Sequence, residues 1–387
     1  VGQSIQDNSR IPPSVLVSEL LDTIENGFEL SEKNILDHLV SVHRLQAFSP
    51  QYFQKDSGLF SYSEENRQAA AFIDKNETVP PLITGALLLT PSEKEELHSL
   101  DIETLIRFFS NPIRFMLQQR LGIYLEETAG LVDRREDFEL NFLDRYLVGR
   151  NLVDVRMEGR DLNNYRPVQM AKGQLPHGNV GTFYYNELSN DVERFVSKIE
   201  SLKDKKIAGP LEARIEIGEY VLQARLPEIY DCGLLQARYA KQRAQDLLSA
   251  WIYHLVFCEA APKELTPKSA IIFKNAAWQF KPVDHRLQIL MDLFNMFKGG
   301  LEKPLHFFPG SSLEYVQQEQ IKGKSKIAAL TQARKKWQGS GDYARGESND
   351  PYYNICFKMT DPLDQDFADV SKAVFGPLLA SITKMDL

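Results

Sequence analysis

The sequence of 387 residues predicts a mixed α/β (α+β) protein. Residues 211–217 alternate apolar and charged side chains, which is the two-residue period of a half-buried strand. The Gly-Glu pair at 218–219 suits a tight turn into a returning strand at 220–227. After a third strand at 233–238, apolar residues recur between 247 and 255 at helical spacing. Strands and a helix therefore follow one another within a single segment.

The elements before this segment are predicted to be helices. An apolar stripe runs through residues 15–24 and stops at the Asn-Gly pair 26–27, which is a common way for a helix to end. A second stripe covers 102–109. The Asn-Pro pair 111–112 then begins a new helix, with asparagine as the cap and proline at the first position. Another amphipathic helix is predicted at 192–202.

The elements after this segment mix both types. Residues 270–280 are predicted to form a hairpin, because two short apolar runs flank a Lys-Asn-Ala turn. A helix is predicted at 287–297 and is expected to end at the glycines 299–300. Residues 304–308 are predicted to be a strand. The last predicted element is a helix at 367–379.

Composition restricts the class of protein. The net charge of −8 argues against a generic DNA-coating protein, whose electrostatic footprint is basic. Cys232, Cys258 and Cys356 fit no zinc-binding spacing, and their scarcity is typical of a reducing cytoplasm. No run of about 18 apolar residues predicts a membrane span. The chain begins with Val1 rather than Met, and we expect it to be a piece of a longer polypeptide.

The segment 211–259 is similar to the core of metal-dependent nucleases of the PD-(D/E)xK type. In those enzymes adjacent strands present an Asp, then an Asp or Glu, then a Lys. This sequence has Pro227, Gln236 and Arg238 at the three positions. Mg²⁺ prefers carboxylate oxygens, which proline and glutamine lack, and arginine does not lose its proton to act as a base. We therefore predict a degenerate nuclease-like core with added helices, no catalytic residue and no bound metal or other cofactor.

A fourth position also lacks the residue that active nucleases carry. Active members of the wider nuclease family often carry a His after a Gly at the start of the helix that precedes the core. The segment from Gly181 has this spacing, with Tyr185 in place of the His. This substitution also predicts an inactive site.

Several segments, in the same order along the chain, resemble the RecC family, the gamma subunits of bacterial exodeoxyribonuclease V. The resemblance covers nearly the whole chain and corresponds to the carboxy-terminal third of that subunit. No single motif decides it, but the colinear set is specific. The segments are residues 1–9, 13–17, 173–181, 251–257, 345–347 and 352–353.

The resemblance implies a role and a domain organisation. Residues 1–50 would be the end of an inactive helicase-like domain, 51–95 a linker and 96–387 an inactive nuclease-like domain. Members of the family act as a scaffold in the helicase–nuclease complex that processes double-strand breaks for recombinational repair. The implied partners are the beta and alpha subunits and the duplex and single-stranded DNA held in the complex. The implied location is the bacterial cytoplasm, with no membrane.

Basic residues near the degenerate site are the candidate DNA contacts. The first group is Arg238, Lys241 and Arg243, for which a solvated helix start is the alternative interpretation. The second group is a loop that carries Lys203, Lys205 and Lys206, for which an exposed turn is the alternative. A third basic stretch, from Lys322 to Trp337, combines charge with an aromatic ring, a pairing that can bind single strands. A flexible solvated segment is the alternative there.

Two other functions remain open from the sequence. The chain could be a divergent active DNA nuclease, in which Glu228 and Asp231 act as relocated metal ligands. It could also be a pure protein-interaction module without a DNA role. In that case any DNA binding would lack the salt dependence that phosphate contacts produce.

Overall fold

The computed structural model describes residues 2–3, 10–31, 34–74, 81–125, 139–203, 206–262, 265–339, 346–358 and 360–386. The chain forms two compact units, Val1–Val79 and Pro80–Leu387. The division falls inside residues 51–95, the segment predicted to be a linker. The helicase-like and nuclease-like assignments stay predictions.

The first unit is small and mainly helical. Its elements in order are β1 (Gly2–Gln3), β2 (Arg10–Ile11), α1 (Val15–Gly27), α2 (Ile35–Leu39), a 3₁₀ turn (Pro50–Phe53) and α3 (Glu64–Asp74). Strands β1 and β2 pair antiparallel. Helix α1 ends at Gly27, close to the predicted end, but it buries none of its residues. Leu16, for example, is 78% exposed.

The second unit contains the two larger sheets. Its first half comprises α4 (Pro91–Glu96), β3 (Ser99–Asp101), α5 (Ile102–Ser110), α6 (Pro112–Phe115), a π-helical turn (Met116–Arg120), α7 (Phe142–Met157), α8 (Leu162–Ala171) and α9 (Gly178–Leu202). As predicted, the side chain of Asn111 caps α6, accepting a hydrogen bond from the amide of Arg114. The predicted helix at 192–202 is the second half of α9, which is longer than predicted.

The second half of this unit contains seven described strands before α15, one after it, and the helices between them. They are β4 (Lys206–Ala208), β5 (Leu211–Ile217), β6 (Tyr220–Leu226), β7 (Ile229–Tyr230), β8 (Gly233–Arg238), α10 (Ala244–Ala260), β9 (Ser269–Phe273), β10 (Ala277–Phe280), α11 (Arg286–Glu302), α12 (Pro309–Val316), a π-helical turn (Gln317–Ile321), α13 (Lys326–Gln338), a 3₁₀ turn (Glu347–Asn349), α14 (Pro351–Phe357), α15 (Gln365–Ser381) and β11 (Ile382–Met385). The predicted hairpins β5–β6 and β9–β10 are confirmed.

One long hairpin passes from one sheet into the other. The three-stranded sheet has the order β3-β6-β5 and the six-stranded sheet the order β11-β10-β9-β8-β7-β4. Successive strands β4 and β5 pair with β7 and β6, respectively. The breaks lie at Gly209-Pro210 and at Pro227-Glu228, where proline has no N–H to continue a ladder. The predicted third strand, β8, therefore lies in a different sheet from most of the hairpin before it.

The six-stranded sheet has a helical layer on each face. Strands β8 and β9 are parallel, and their other neighbours in this sheet are antiparallel. Leu234 and Ile271 join the larger core, which includes α10 and Trp251. Their neighbours along the strands, Leu235 and Ile272, belong to the smaller core beneath α7 and α9. This alternation is the two-residue period of a strand buried on both faces.

One predicted strand and one predicted helix end were wrong. Residues 304–308 form no strand, although Phe307 and Phe308 are fully buried. Helix α11 does not end at Gly299-Gly300 but continues to Glu302. Any Cβ at Gly300 would collide with the ring of Phe108, so this glycine permits close packing against α5 inside the helix.

Candidate functional site

The site predicted to be degenerate lies where β8 ends and α10 begins. Gln236 and Arg238 share the face of β8 that carries Leu234, which is directed toward α10. Pro227 follows β6 and is exposed. None of these three side chains offers a carboxylate oxygen. The positions predicted to be degenerate thus lie near one end of the sheet, but they bring no acidic group to it.

A buried carboxylate lies at this end, and two arginines bind it. Asp246, in the first turn of α10, has a side chain that is only 5% exposed. One of its oxygens accepts a hydrogen bond from Nη1 of Arg238 and another, at 3.2 Å, from Nη2 of Arg243. Its second oxygen accepts from Nε of Arg243 at 3.0 Å. The helix N-terminus also favours a negative charge there.

This cluster changes the chemistry of the site. The hydrogen bonds that Arg243 donates to Asp246 raise the pKa of this arginine. Both oxygens of the carboxylate are occupied by guanidinium donors, which are fixed cations of planar geometry. A divalent cation would have to displace them and would meet two positive charges. The arrangement is a charged structural contact rather than a set of free metal ligands.

Tyr185 is not brought to this cluster. Its side chain is 2% exposed and belongs to the smaller core, on the opposite face of the six-stranded sheet from Arg238. The hydroxyl donates a 2.5 Å hydrogen bond to the carbonyl of Leu162 on α8. Burial raises the pKa of this phenol. Tyr185 therefore joins α8 to α9.

Glu228 and Asp231, the two proposed relocated ligands, do not converge with other acids. Glu228 accepts hydrogen bonds from Nζ of Lys206 at 2.5 Å and from the hydroxyl of Tyr230 at 2.7 Å. The contact with Lys206 lowers the pKa of Glu228. Asp231 is exposed in the turn between β7 and β8. Across the described residues, no three His, Cys, Asp or Glu side chains are grouped so that they could hold a metal ion.

The basic loop after α9 is partly engaged by the protein itself. The ammonium group of Lys203 lies 5.3 Å from the ring centroid of Tyr230, a cation–π distance. Lys206 is paired with Glu228. Lys205 lies outside the described residues. Lys241, from the other predicted group, is exposed between β8 and α10.

The third basic stretch lacks the stacking surface predicted for it. Trp337 is only 9% exposed, and its ring centroid lies 4.3 Å from that of Phe308. Arg334 forms an ion pair with Asp361 at 2.5 Å. Lys322 and Lys324 are exposed. The prediction of base stacking on Trp337 was wrong, because the helical spacing of α13 turns this ring into the core.

Sequence reasoning missed two charged networks. One is Asp246 with its arginines, although the three-residue spacing from Arg243 could have indicated a contact at the helix start. The other joins Asp191 of α9, Tyr239 and Lys274. The hydroxyl of Tyr239 donates to Asp191 at 2.6 Å, and Lys274 forms an ion pair with the same carboxylate. Nothing local predicts this second network, because its members are far apart in the sequence.

Comparison with known proteins gives a consistent family. The family model of the RecC C-terminal domain matches residues 97–320. The RecBCD enzyme subunit RecC of Escherichia coli K12 is 27% identical over 325 residues, which are 80% of this chain and 28% of that protein. The same subunit of Haemophilus influenzae is 24% identical over 98% of this chain and 33% of its own length. The chain thus spans about a third of these relatives or less.

A helix that crosses a bilayer needs about 20 mostly apolar residues. None of the described helices combines this length with this apolar character.

Proposed function

Because the chain belongs to the RecC C-terminal domain family, we propose that it is a non-catalytic scaffold and DNA-guiding part of a RecBCD-type complex. The complex would process double-strand breaks for recombinational repair in the bacterial cytoplasm. In this proposal the chain contacts the beta and alpha subunits and directs duplex and single-stranded DNA, while hydrolysis takes place on another subunit.

The observation that carries the non-catalytic role is the pairing of Asp246 with Arg238 and Arg243. The order α9, hairpin, β8, α10, β9 supports a nuclease-like ancestry, since the parallel pair β8–β9 is joined through α10. In such a core a metal ion would need several convergent oxygens. Here the buried carboxylate at the end of the site is neutralised by cations that belong to the protein.

The DNA-guiding role rests on the basic residues at the same end. Arg238 and Arg243 keep partly exposed guanidinium groups, with side chains 37% and 58% exposed. Lys241 between them is exposed. Such cations can contact phosphates without reading sequence. Their number is small, so the proposed contact is a local one within a larger assembly.

A nuclease assay tests the non-catalytic role. We expect the purified chain to leave linear duplex and single-stranded DNA intact in the presence of Mg²⁺ or Mn²⁺, because the part of the chain that the structure describes brings no carboxylate cluster together to hold the ion. Metal-dependent degradation that disappears in Glu228→Ala or Asp231→Ala, but persists in the exposed control Glu212→Ala, would establish the divergent nuclease instead.

Co-purification tests the scaffold role. We expect the chain, co-expressed with beta and alpha subunits of its relatives, to elute with them in gel filtration. Elution of the chain by itself, in a folded state by circular dichroism, would contradict the scaffold role. Deleting α15 is not a suitable probe, because Phe367 and Phe375 of this helix are fully buried and the variant would lose part of the core.

A further inference from the structure

A groove with no role in the degenerate site lies beside α9. An open pocket of about 390 Å³ is lined by α9, the turn between β9 and β10, and the end of β11. A second cavity of about 210 Å³ extends along α9. The two share Lys198 and Lys274 in their walls and therefore adjoin. We call the pair the α9 groove.

The α9 groove carries more positive than negative charge. Its walls contain four cations, Arg194, Lys198, Lys274 and Lys384, and two carboxylates, Asp191 and Asp386. Asp191 is already engaged by Lys274, Tyr239 and Arg194. Within the described residues, Lys198 and Lys384 form no ion pair. This surplus stands on a chain whose net charge is −8.

The wall of the groove is held in place by a buried aromatic residue. The ring of Tyr239 packs against Phe195 of α9, with centroids 5.3 Å apart. The ammonium group of Lys274 lies 4.3 Å from the centroid of the Tyr239 ring while it pairs with Asp191. Lys274 also donates its backbone N–H to the carbonyl of Ala240 at 3.0 Å. The groove is therefore a preformed surface.

The α9 groove adjoins residues 241–243, which belong to the first group of candidate DNA contacts. The backbone N–H of Gln242 donates to Oδ1 of Asn275 at 2.8 Å, and its side-chain oxygen accepts from Nε1 of Trp278 at 2.8 Å. Residues 241–243 and the turn at 274–276 thus form one surface. They meet because the parallel strands β8 and β9 end at the same edge of the sheet. Exposed Lys241 extends the positive surface toward Arg243.

We propose that the α9 groove binds the phosphodiester backbone of a nucleic-acid strand. This inference rests on the DNA-guiding role and gives it a site. Two adjoining cavities with cations from three elements suit successive phosphates of a polyanion better than a single small anion. The aromatic residues Tyr239 and Phe195 lie buried beneath the lysines and offer no face for base stacking. The contact is therefore independent of sequence.

A double substitution tests the groove. The chain and its Lys198→Gln/Lys384→Gln variant are titrated against fluorescein-labelled oligothymidylate and against a labelled duplex, with fluorescence anisotropy as the readout. For the single strand we expect roughly 25-fold weaker binding at about 0.1 M salt, since each lost contact removes about 0.7 from the salt slope. The slope should fall by about 1.4. A larger loss with the duplex than with oligothymidylate would assign the phosphates to duplex DNA.

A matched control separates the groove from general charge. Lys94→Gln/Lys303→Gln makes the same charge change at exposed sites outside the groove and should alter affinity less than about twofold. If the groove variant binds as well as this control while Lys241→Gln binds more weakly, the groove inference fails and the DNA-guiding role stands. If the unmodified chain binds neither probe, both fail. Polyglutamate and unlabelled oligothymidylate are also compared as competitors. If polyglutamate displaces the labelled strand at a lower concentration of negative charges than oligothymidylate does, the groove prefers an acidic peptide and the inference is overturned.

Discussion

Two charged regions at one edge of the six-stranded sheet use their cations in different ways. At the start of α10, Arg238 and Arg243 share the carboxylate of Asp246, which solvent scarcely reaches. In the α9 groove, Lys274 has a partner in Asp191, but Lys198 and Lys384 have none within the described residues. A basic residue in the predicted degenerate site is therefore not equivalent to a free positive charge.

In both regions, pairing with a carboxylate limits the charge that a cation can offer to a phosphate. Asp246 neutralises part of the charge that its arginines would offer to a phosphate. The arginines in turn lower the free-energy cost of burying this carboxylate. Asp191 likewise neutralises part of the charge of Lys274 and Arg194, which leaves Lys198 and Lys384 of the groove available. Three predictions test this contrast, from the largest expected effect to the smallest.

Asp246→Ala should have the largest effect. Removing the carboxylate leaves two guanidinium groups facing each other without a counter-charge. We expect a loss of about 2–4 kcal/mol in the free energy of unfolding, below the value for a fully buried pair because solvent reaches both arginines. Urea denaturation measures it. Asp366→Ala, at an exposed site in the first turn of α15, should change stability by less than about 1 kcal/mol. Equal effects of the two variants would show that the Asp246 cluster is not stabilising.

Single substitutions in the two regions should differ in DNA binding. Lys198→Gln should weaken binding of oligothymidylate about fivefold at about 0.1 M salt, because one phosphate contact is lost. Arg243→Gln should weaken it less, by about twofold, because Asp246 already neutralises part of the charge that this guanidinium offers to a phosphate. Anisotropy titrations compare the two directly. A larger loss from Arg243→Gln would break the contrast and assign the main phosphate contact to the degenerate site.

The smallest effect concerns the pH dependence of stability. Burial raises the pKa of Asp191, but hydrogen bonds from Lys274 and Tyr239 outweigh it, so the folded pKa lies below its ordinary value of 3.8. Its stabilising contribution is complete above that ordinary pKa and disappears as pH falls through the folded pKa. Wild type should therefore exceed Asp191→Asn in thermal midpoint near neutral pH, with the difference shrinking below about pH 4.

A control variant shows whether the pH dependence comes from Asp191 in particular. Asp284→Asn changes an exposed aspartate that precedes α11. Its midpoint should follow wild type at every pH. A constant difference between wild type and Asp191→Asn down to the most acidic condition would show that packing, not the charge of Asp191, accounts for the network.

Local patterns allowed much of the fold to be predicted. The alternation in 211–217 and the turn at 218–219 fix β5 and β6 through contacts between near neighbours. The placement of β8 in another sheet was not predictable in this way, because it depends on how the ladders break at Pro210 and Pro227. The end of α11 was mispredicted for a similar reason. Gly300 permits close packing against the ring of Phe108, which lies on a helix far away in the sequence.

The site was predictable only in part. The sequence identified positions without metal ligands, since that requires only the residue types at 227, 236 and 238. It did not reveal that Asp246 occupies both arginines. It also gave no indication of the α9 groove, whose walls come from α9, a turn about 80 residues later and a strand near the carboxy-terminal end. Charge in a groove is a tertiary property.

The hairpin that spans both sheets bears on how the second unit opens. Its two arms supply β5 and β6 to one sheet and β4 and β7 to the other. Separating either sheet pulls on backbone shared with its neighbour, so the two ladders should protect their amides from hydrogen exchange as one cooperative block. Strand edges that hold the arginine cluster and the lysine groove would then lose their arrangement together, in a single opening event.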